Sequence, residues 1–256
     1  MKGRIVLVTG AASGIGEATV ERLASEQARV LAFDRDAAAL DALARRTGAT
    51  AFAGDVTVQA DVDRAMAALR AMGGLHAVVN GAGVVAADDP QDLADATWER
   101  MIAVNLTGTM RVCRAAIGLL KQGGGGAIVN VASVAAFNST PGSASYAPSK
   151  AGVVAFTRNI AYAHGADNIR ANCVCPGWTR TAMAEREMTE AAALAGSTME
   201  AEFAVMAGRI ALGRVARPAE IASCIRFLAS DEASFVTGAV LVADGGGRVA
   251  THARGF

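Results

Sequence analysis

Tyr146 and Lys150 stand four residues apart in the run Tyr146-Ala-Pro-Ser-Lys150. On a helix that spacing puts both side chains on one face, one turn apart. Pro148 is tolerated in a helix's first turn. A free tyrosine has a pKa of about 10, so a phenol acting as a base near neutrality needs a drop of roughly three units, or about 4 kcal/mol. A neighbouring ammonium favours the phenolate. Ser133 closes an apolar run thirteen residues before Tyr146, where a hydroxyl can orient a substrate oxygen. Asn105 falls within the helical pattern Thr97–Leu120, where asparagine is a mediocre helix former. Singly, each has an ordinary reading: a surface lysine, a turn serine, an asparagine on a polar face. Jointly they suit proton transfer at an alcohol or carbonyl oxygen.

A second constellation lies near the start. Thr9-Gly10-Ala11-Ala12-Ser13-Gly14-Ile15-Gly16 follows a short apolar run and leads into a helical pattern. Glycines let the backbone approach a pyrophosphate, and a helix N-terminus offers N–H groups and a positive dipole end. The spacing G-x-x-x-G-x-G is neither the usual dinucleotide fingerprint nor a P-loop. Asp34 lies 18 residues past Gly16, near the position of an acid that binds an adenosine ribose diol. A carboxylate there repels a 2′-phosphate, so NAD is expected over NADP. Arg35 can pair with a phosphate, stack on the adenine or face solvent. Ser13 leaves that phosphate without a second basic partner.

These residues need a frame. Nearly continuous Val/Ile/Leu/Ala runs occur at Ile5–Thr9, Arg29–Phe33, Thr50–Ala53, Ala77–Asn80, Ala127–Val131, Ile169–Val174 and Val240–Val242. Such runs suit strands buried on both faces of a parallel sheet. Helical patterns alternate with them at Ile15–Ser25, Ala37–Arg46, Gln59–Ala71, Thr97–Leu120, Ala147–Gly165 and Pro218–Ala229. The alternation predicts an α/β fold, a doubly wound parallel sheet with right-handed crossovers. No linker divides residues 1–256, so one domain is expected. Trp178–Gly213 reads as irregular and is expected to be a substrate loop or lid. The tail Gly245–Phe256 is expected to cap a surface or an interface.

Composition removes other classes. The 24 Lys+Arg balance 24 Asp+Glu, which gives no reason to expect nucleic acid or an acidic membrane as partner. No apolar run reaches the roughly 18 residues of a membrane span. Ile5–Val8 is too short for a signal-peptide core, so a cytoplasmic protein is expected. Cys113, Cys173, Cys175 and Cys224 sit in apolar segments without CxxC spacing and read as small buried residues. His76, His164 and His252 lie far apart, and no metal site is expected.

With these motifs assembled, the chain resembles the short-chain dehydrogenase/reductase family along essentially its whole length. The matching segments are Thr9–Gly16, Asp55-Val56, Asn80-Gly81-Ala82-Gly83, Asn105, Ser133, Tyr146–Lys150, Pro176-Gly177 with Thr179 and Thr181, and Asp244-Gly245-Gly246. The resemblance implies a seven-stranded Rossmann-like sheet with helices on both faces. It implies a tetrad in which Tyr146 is the general acid/base and Ser133 holds the substrate oxygen. Lys150 would lower the Tyr146 pKa and bond the nicotinamide ribose, and Asn105 would anchor a water of the proton relay. For the cofactor, Gly10, Ser13, Gly14, Ile15 and Gly16 would hold the diphosphate, with Asp34 and Arg35 at the adenosine. Asp55 and Val56 would flank the adenine. Asn80, Gly81 and Ala82 would form the central wall, Pro176 and Gly177 would lie near the nicotinamide, and Thr179 and Thr181 would reach the carboxamide or the diphosphate. A homotetramer or homodimer pairing the two long helices is the family's usual assembly.

The expected reaction is NAD(H)-dependent interconversion of a secondary alcohol and a ketone. Alternatives are a 3-oxoacyl-(acyl-carrier-protein) reductase, a short hydroxy-acid dehydrogenase of the 3-hydroxybutyrate type, and a polyol, cyclic alcohol or dihydrodiol dehydrogenase. A nucleotide-sensing regulator is disfavoured because both Tyr146 and Lys150 are present. Phe137, Pro141, Trp178, Met183 and Met188 offer apolar substrate contacts or lid packing. Arg186 and Arg209 are candidates for clamping a carboxylate.

Overall fold

A computed structural model describes residues 1–247. The part of the expected cap at 248–256 lies outside the described residues. The chain opens with β1 (Ile5–Thr9), α1 (Gly14–Ser25), β2 (Arg29–Asp34), α2 (Ala37–Thr47) and β3 (Thr50–Ala53). It continues with α3 (Gln59–Met72), β4 (Ala77–Asn80), α4 (Asp95–Met101), α5 (Thr109–Gln122) and β5 (Gly126–Val131). The rest comprises α6 (Tyr146–His164), β6 (Ile169–Pro176), α7 (Ala182–Ala195), α8 (Met199–Ala207), α9 (Pro218–Ala229) and β7 (Val240–Ala243). All seven strands run parallel in one sheet of order β3-β2-β1-β4-β5-β6-β7.

Alternation along β1 explains the layering. Ile5 and Leu7 pack with Val62, Leu69, Val112 and Leu120 of α3 and α5. Val6 and Val8 pack with Val20, Leu23, Leu40 and Ile225 of α1, α2 and α9. Successive side chains point to opposite faces, so a strand apolar at every position needs helices on both. That is why its apolar run is continuous rather than alternating.

Two stretches depart from expectation. The helical pattern Thr97–Leu120 is interrupted: a seven-residue π-helical stretch, Ile102–Gly108, separates α4 from α5. Trp178–Gly213, read as irregular, folds largely as α7 and α8. The Thr181 and Thr198 side chains cap those helices by accepting from Ala184 N and Ala201 N, each at 3.2 Å. Gly196, at φ +65°, ends α7. The run Ala182–Ala195 is rich in Ala, Glu and Met, which are good helix formers. Ala184, Met188 and Phe203 close a small core between the two helices, with Trp178 and Met199 against it.

Candidate active site

The sheet order reverses between β1 and β4, since the chain winds outward through β2 and β3 and returns beyond β1. Ligands of doubly wound sheets bind at that switch point, at the carboxyl ends of the strands. Thr9, Asp34, Asn80, Val131 and Pro176 are the last residues of five of these strands. Most of the expected site residues fall just after them.

The glycine turn forms a cradle that side chains would fill. A Cβ on Gly10 would lie 2.6 Å from Ala82 N, and one on Gly16 would lie 1.9 Å from the Gly10 carbonyl oxygen. Thr9 holds the facing loop, accepting from Gly81 N at 3.1 Å with its carbonyl and from Ala82 N at 3.3 Å with its hydroxyl. Ser13 is the N-cap of α1 in extended conformation, and its side chain makes no capping bond. Gly14 begins α1 beside the Thr181 methyl, while Ile15 packs toward the α1 face of the core. The Asp34 carboxylate accepts from Ala12 N and Asp36 N, both at 3.1 Å. A cavity of about 780 Å³ opens here, lined by Ala12, Ser13, Asp34 and Arg35 on the body and by Arg186 and Glu190 on α7. Backbone N–H groups at a helix start, a close backbone approach and a carboxylate at the strand end fit a dinucleotide.

The expected chemical groups converge at β5 and α6. Tyr146 is the first residue of α6 and Lys150 lies a turn later. Lys150 Nζ donates to the Val131 carbonyl at 3.0 Å and lies 5.7 Å from the centre of the Tyr146 ring. Lys150 is 4% exposed, and burial pushes its ammonium down to about 8. Burial also pushes the Tyr146 phenol up, to about 12; a hydrogen bond with Ser133 opposes the rise, and Glu187 and Cys175 add to it. Burial sets the direction for both groups in the protein alone. Desolvation penalises the charged form of each group. Ser133 is held for its task, its Oγ accepting from Ala135 N at 3.1 Å.

Asn105 sits in the π-helical stretch, 1% exposed. Its Oδ1 accepts from Val84 N at 2.8 Å, and its Nδ2 donates to Val84 O and to Ser149 Oγ, both at 3.0 Å. It ties the loop after β4 to α6. Gly83 lies between: a Cβ there would be 3.3 Å from Lys150 Nζ and 3.4 Å from Asn105 Oδ1.

Several expected cofactor residues turn their side chains elsewhere. Asn80 is 3% exposed, donating to Asn130 Oδ1 at 2.7 Å and Cys113 Sγ at 3.2 Å. Val56 packs in the core against Gly108. Asp55 Oδ1 accepts from Thr57 N and Oγ1, both at 2.7 Å. Thr179 donates to Gly177 O at 3.1 Å, and Thr181 caps α7. Pro176 ends β6, and Gly177 passes so close to Asp244 that a Cβ would be 2.7 Å from it. The side chains of Asn80, Asp55, Thr179 and Thr181 thus have partners within the protein. Among the proposed substrate contacts, Met188 is buried between α7 and α8, and Trp178 packs against them. Arg186 is exposed and lines the Asp34 cavity, and Arg209 is exposed.

Two residues, within the stretches Val84–Asp89 and Trp178–Gly213 expected on the substrate side, have no individual role in the sequence analysis. The Asp88 carboxylate accepts from the Ser145 backbone N at 3.1 Å and from the Ser145 hydroxyl, immediately before Tyr146. Glu187 of α7 acts electrostatically on the phenol. Its helical phase beside Ala184 and Met188 was the available signal, but only once α7 is read as a helix. Among the described residues, no three His, Cys, Asp or Glu side chains are grouped to hold a metal, and no helix is long and apolar enough to cross a membrane.

Comparison with known proteins agrees with this geometry. A family model described as "Enoyl-(Acyl carrier protein) reductase" matches residues 10–247. The cis-4-hydroxycyclohexanecarboxylate dehydrogenase of Sinomonas cyclohexanicum is 40% identical, over 95% of this chain and 96% of its own. A 3-oxoacyl-[acyl-carrier-protein] reductase of Thermotoga maritima is 36% identical, over 96% of this chain and 98% of its own. A crystal structure of a single-residue variant of actinorhodin polyketide ketoreductase with NADPH superposes with a TM-score of 0.92 at 31% identity, over 96% of this chain and 99% of that one. Likeness of this extent, in sequence and in fold, makes the chain a member of the short-chain dehydrogenase/reductase family of oxidoreductases.

Proposed function

We propose that the protein is an NAD(H)-dependent oxidoreductase that interconverts a secondary alcohol and a ketone, with Tyr146 as general acid/base. The observation that carries this reading is the Ser133–Tyr146 hydrogen bond at the cleft, with Lys150 a turn behind. A bound nicotinamide supplies the hydride acceptor or donor. In oxidation, Tyr146 Oη takes the hydroxyl proton; in reduction it returns it. Ser133 Oγ holds the substrate oxygen. Lys150 supplies positive charge beside the phenol and would bond the ribose of a bound nicotinamide. Asn105, locked to Val84 and Ser149, holds the wall along which a water-borne proton relay leaves Lys150.

Asp34 supports NAD, because a carboxylate at the end of β2 would repel a 2′-phosphate. Arg35 and Arg186 line the same cavity, and they favour the second reading, an NADPH-linked 3-oxoacyl reductase. Residues 178–213 act as the lid, since α7 borders the Asp34 cavity. The remaining parts of the reading are one domain, a cytoplasmic location and a homotetramer or homodimer. The exposed Tyr162 on α6 suits such an assembly. The test is kcat/KM for NADH against NADPH, together with Tyr146→Phe. Wild type is expected to prefer NADH at least about tenfold, and Tyr146→Phe to lose about 10²–10⁴ in kcat while still binding NADH. Preference for NADPH overturns the cofactor assignment; near-wild-type turnover by Tyr146→Phe overturns the mechanism.

A further inference from the structure

The Asp34 cavity, about 780 Å³, lies between two walls. The body contributes Ser13, Asp34, Arg35 and Asp36. The lid contributes Ala182, Glu185, Arg186, Thr189 and Glu190 of α7. That i, i+3, i+4, i+7, i+8 spacing is one helix face. Ala184, Met188 and Ala192 form a separate, buried stripe of α7. The root of the helix is set against the glycine turn, since a Cβ on Gly14 would lie 3.0 Å from the Thr181 methyl. Arg186 stands one turn beyond that root, on the cavity face.

Four carboxylates and two guanidinium groups line the cavity. Three of the carboxylates are engaged. Asp34 accepts from Ala12 N and Asp36 N, Asp36 caps α2 by accepting from Ala39 N at 3.0 Å, and Glu185 pairs with Arg180 at 3.4 Å. Arg35, Arg186 and Glu190 have no hydrogen bond or ion pair among the described residues. Both arginines are exposed, so water hydrates them while the cavity is open. What sets Arg186 apart is its place, across the cavity from the glycine turn and on the element that can move. A diphosphate binds at such a turn and helix N-terminus. A guanidinium offers forked donors to its oxygens. Filling the cavity displaces water and strengthens that attraction. Asp34 opposes a 2′-phosphate here, which leaves the diphosphate as the anion for Arg186. We infer that Arg186 is a cofactor-binding residue carried by the lid: it pairs with the diphosphate from the α7 side, so that the dinucleotide, rather than the substrate, draws α7 against the body. Arg186 is then spent on the cofactor and does not clamp a substrate carboxylate. This role rests on the dinucleotide reading above.

ADP-ribose tests it, because it carries the diphosphate without the nicotinamide. Its Kd is measured by calorimetry for wild type, Arg186→Gln and Arg186→Lys. Arg186→Gln should weaken binding about tenfold, and Arg186→Lys, which keeps the charge, by no more than about threefold. Added salt should weaken binding to wild type more steeply than to Arg186→Gln, because charge pairs are screened. ADP-ribose should also slow amide hydrogen exchange across residues 182–195 of wild type, and do so less in Arg186→Gln at saturating ligand. Arg186→Gln within about twofold of wild type, or equal loss in both variants, overturns the pairing. Exchange in α7 that ADP-ribose leaves unchanged overturns the drawing-in of the lid. A loss confined to 2′-phospho-ADP-ribose assigns Arg186 to the 2′-phosphate and overturns the diphosphate pairing. All three results leave the dinucleotide reading intact. Wild type that binds neither ADP-ribose nor either nicotinamide dinucleotide overturns that reading, and the role of Arg186 with it.

Discussion

Lys150 Nζ lies 5.7 Å from the centre of the Tyr146 ring, and both residues belong to the first turns of one helix. The pair is assembled at a cost to the fold. The Lys150 pKa falls from 10.5 to about 8 when the chain folds. A lysine with a lowered folded pKa destabilises the native state most below that value, and the penalty fades as pH rises through the window from about 8 to 10.5.

Lys150→Met should therefore raise the melting temperature at pH 7 while lowering kcat about 100-fold or more. The gain is at most about 3 kcal/mol, less the cost of leaving the Val131 carbonyl without its donor. The stability difference should narrow between pH 8 and 10.5. Thermal melts of both proteins across that range check the sign; a variant less stable at pH 7 would contradict it.

Asp88 acts on catalysis through the backbone that carries Tyr146. Its carboxylate bonds the Ser145 N–H and hydroxyl across 57 residues of sequence. Asp88→Ala should lower kcat about tenfold and cost about 1 kcal/mol of stability, the usual value of a lost cap. KM for the cofactor should stay the same, because Asp34 and the glycine turn are untouched. Asp88→Asn, still able to accept, should recover part of kcat. Equal loss in both variants would speak against this positioning role.

Gly16→Ala tests the cradle. The new methyl would fall 1.9 Å from the Gly10 carbonyl oxygen, so α1 and the turn must separate. Overpacking of this kind costs about 1–3 kcal/mol. The expected outcome is a lower melting temperature and cofactor affinity reduced at least about tenfold, read by NADH fluorescence titration. Gly48→Ala serves as a control, since its Cβ would meet nothing within 4 Å. It should cost stability through its positive φ and leave NADH affinity unchanged.

Local chemistry was legible in the chain. Continuous apolar runs announced strands buried on both faces. The turn from Gly10 to Gly16 announced a close backbone approach, and the Tyr146–Lys150 spacing needed only helical geometry. α7, read as irregular, nevertheless carries local signals in its Ala, Glu and Met content and its Thr181 cap. Tertiary structure decided the rest, because burial and partners come from residues distant in sequence. Asn80 and Asn130, 50 residues apart, turn to each other beneath the cleft. The interruption at Ile102–Gly108 belongs to the segment that presents Asn105 to Val84 and Ser149. Desolvation by the assembled core moves the Tyr146 and Lys150 pKa values against the direction that their spacing alone suggests. The docking of α7 sends Arg186 to the Asp34 cavity and Met188 into the small core against α8, although the two are only two residues apart in the chain. Neighbouring helix positions differ by about 100° in direction, so only the packed face determines which charge lines the cavity.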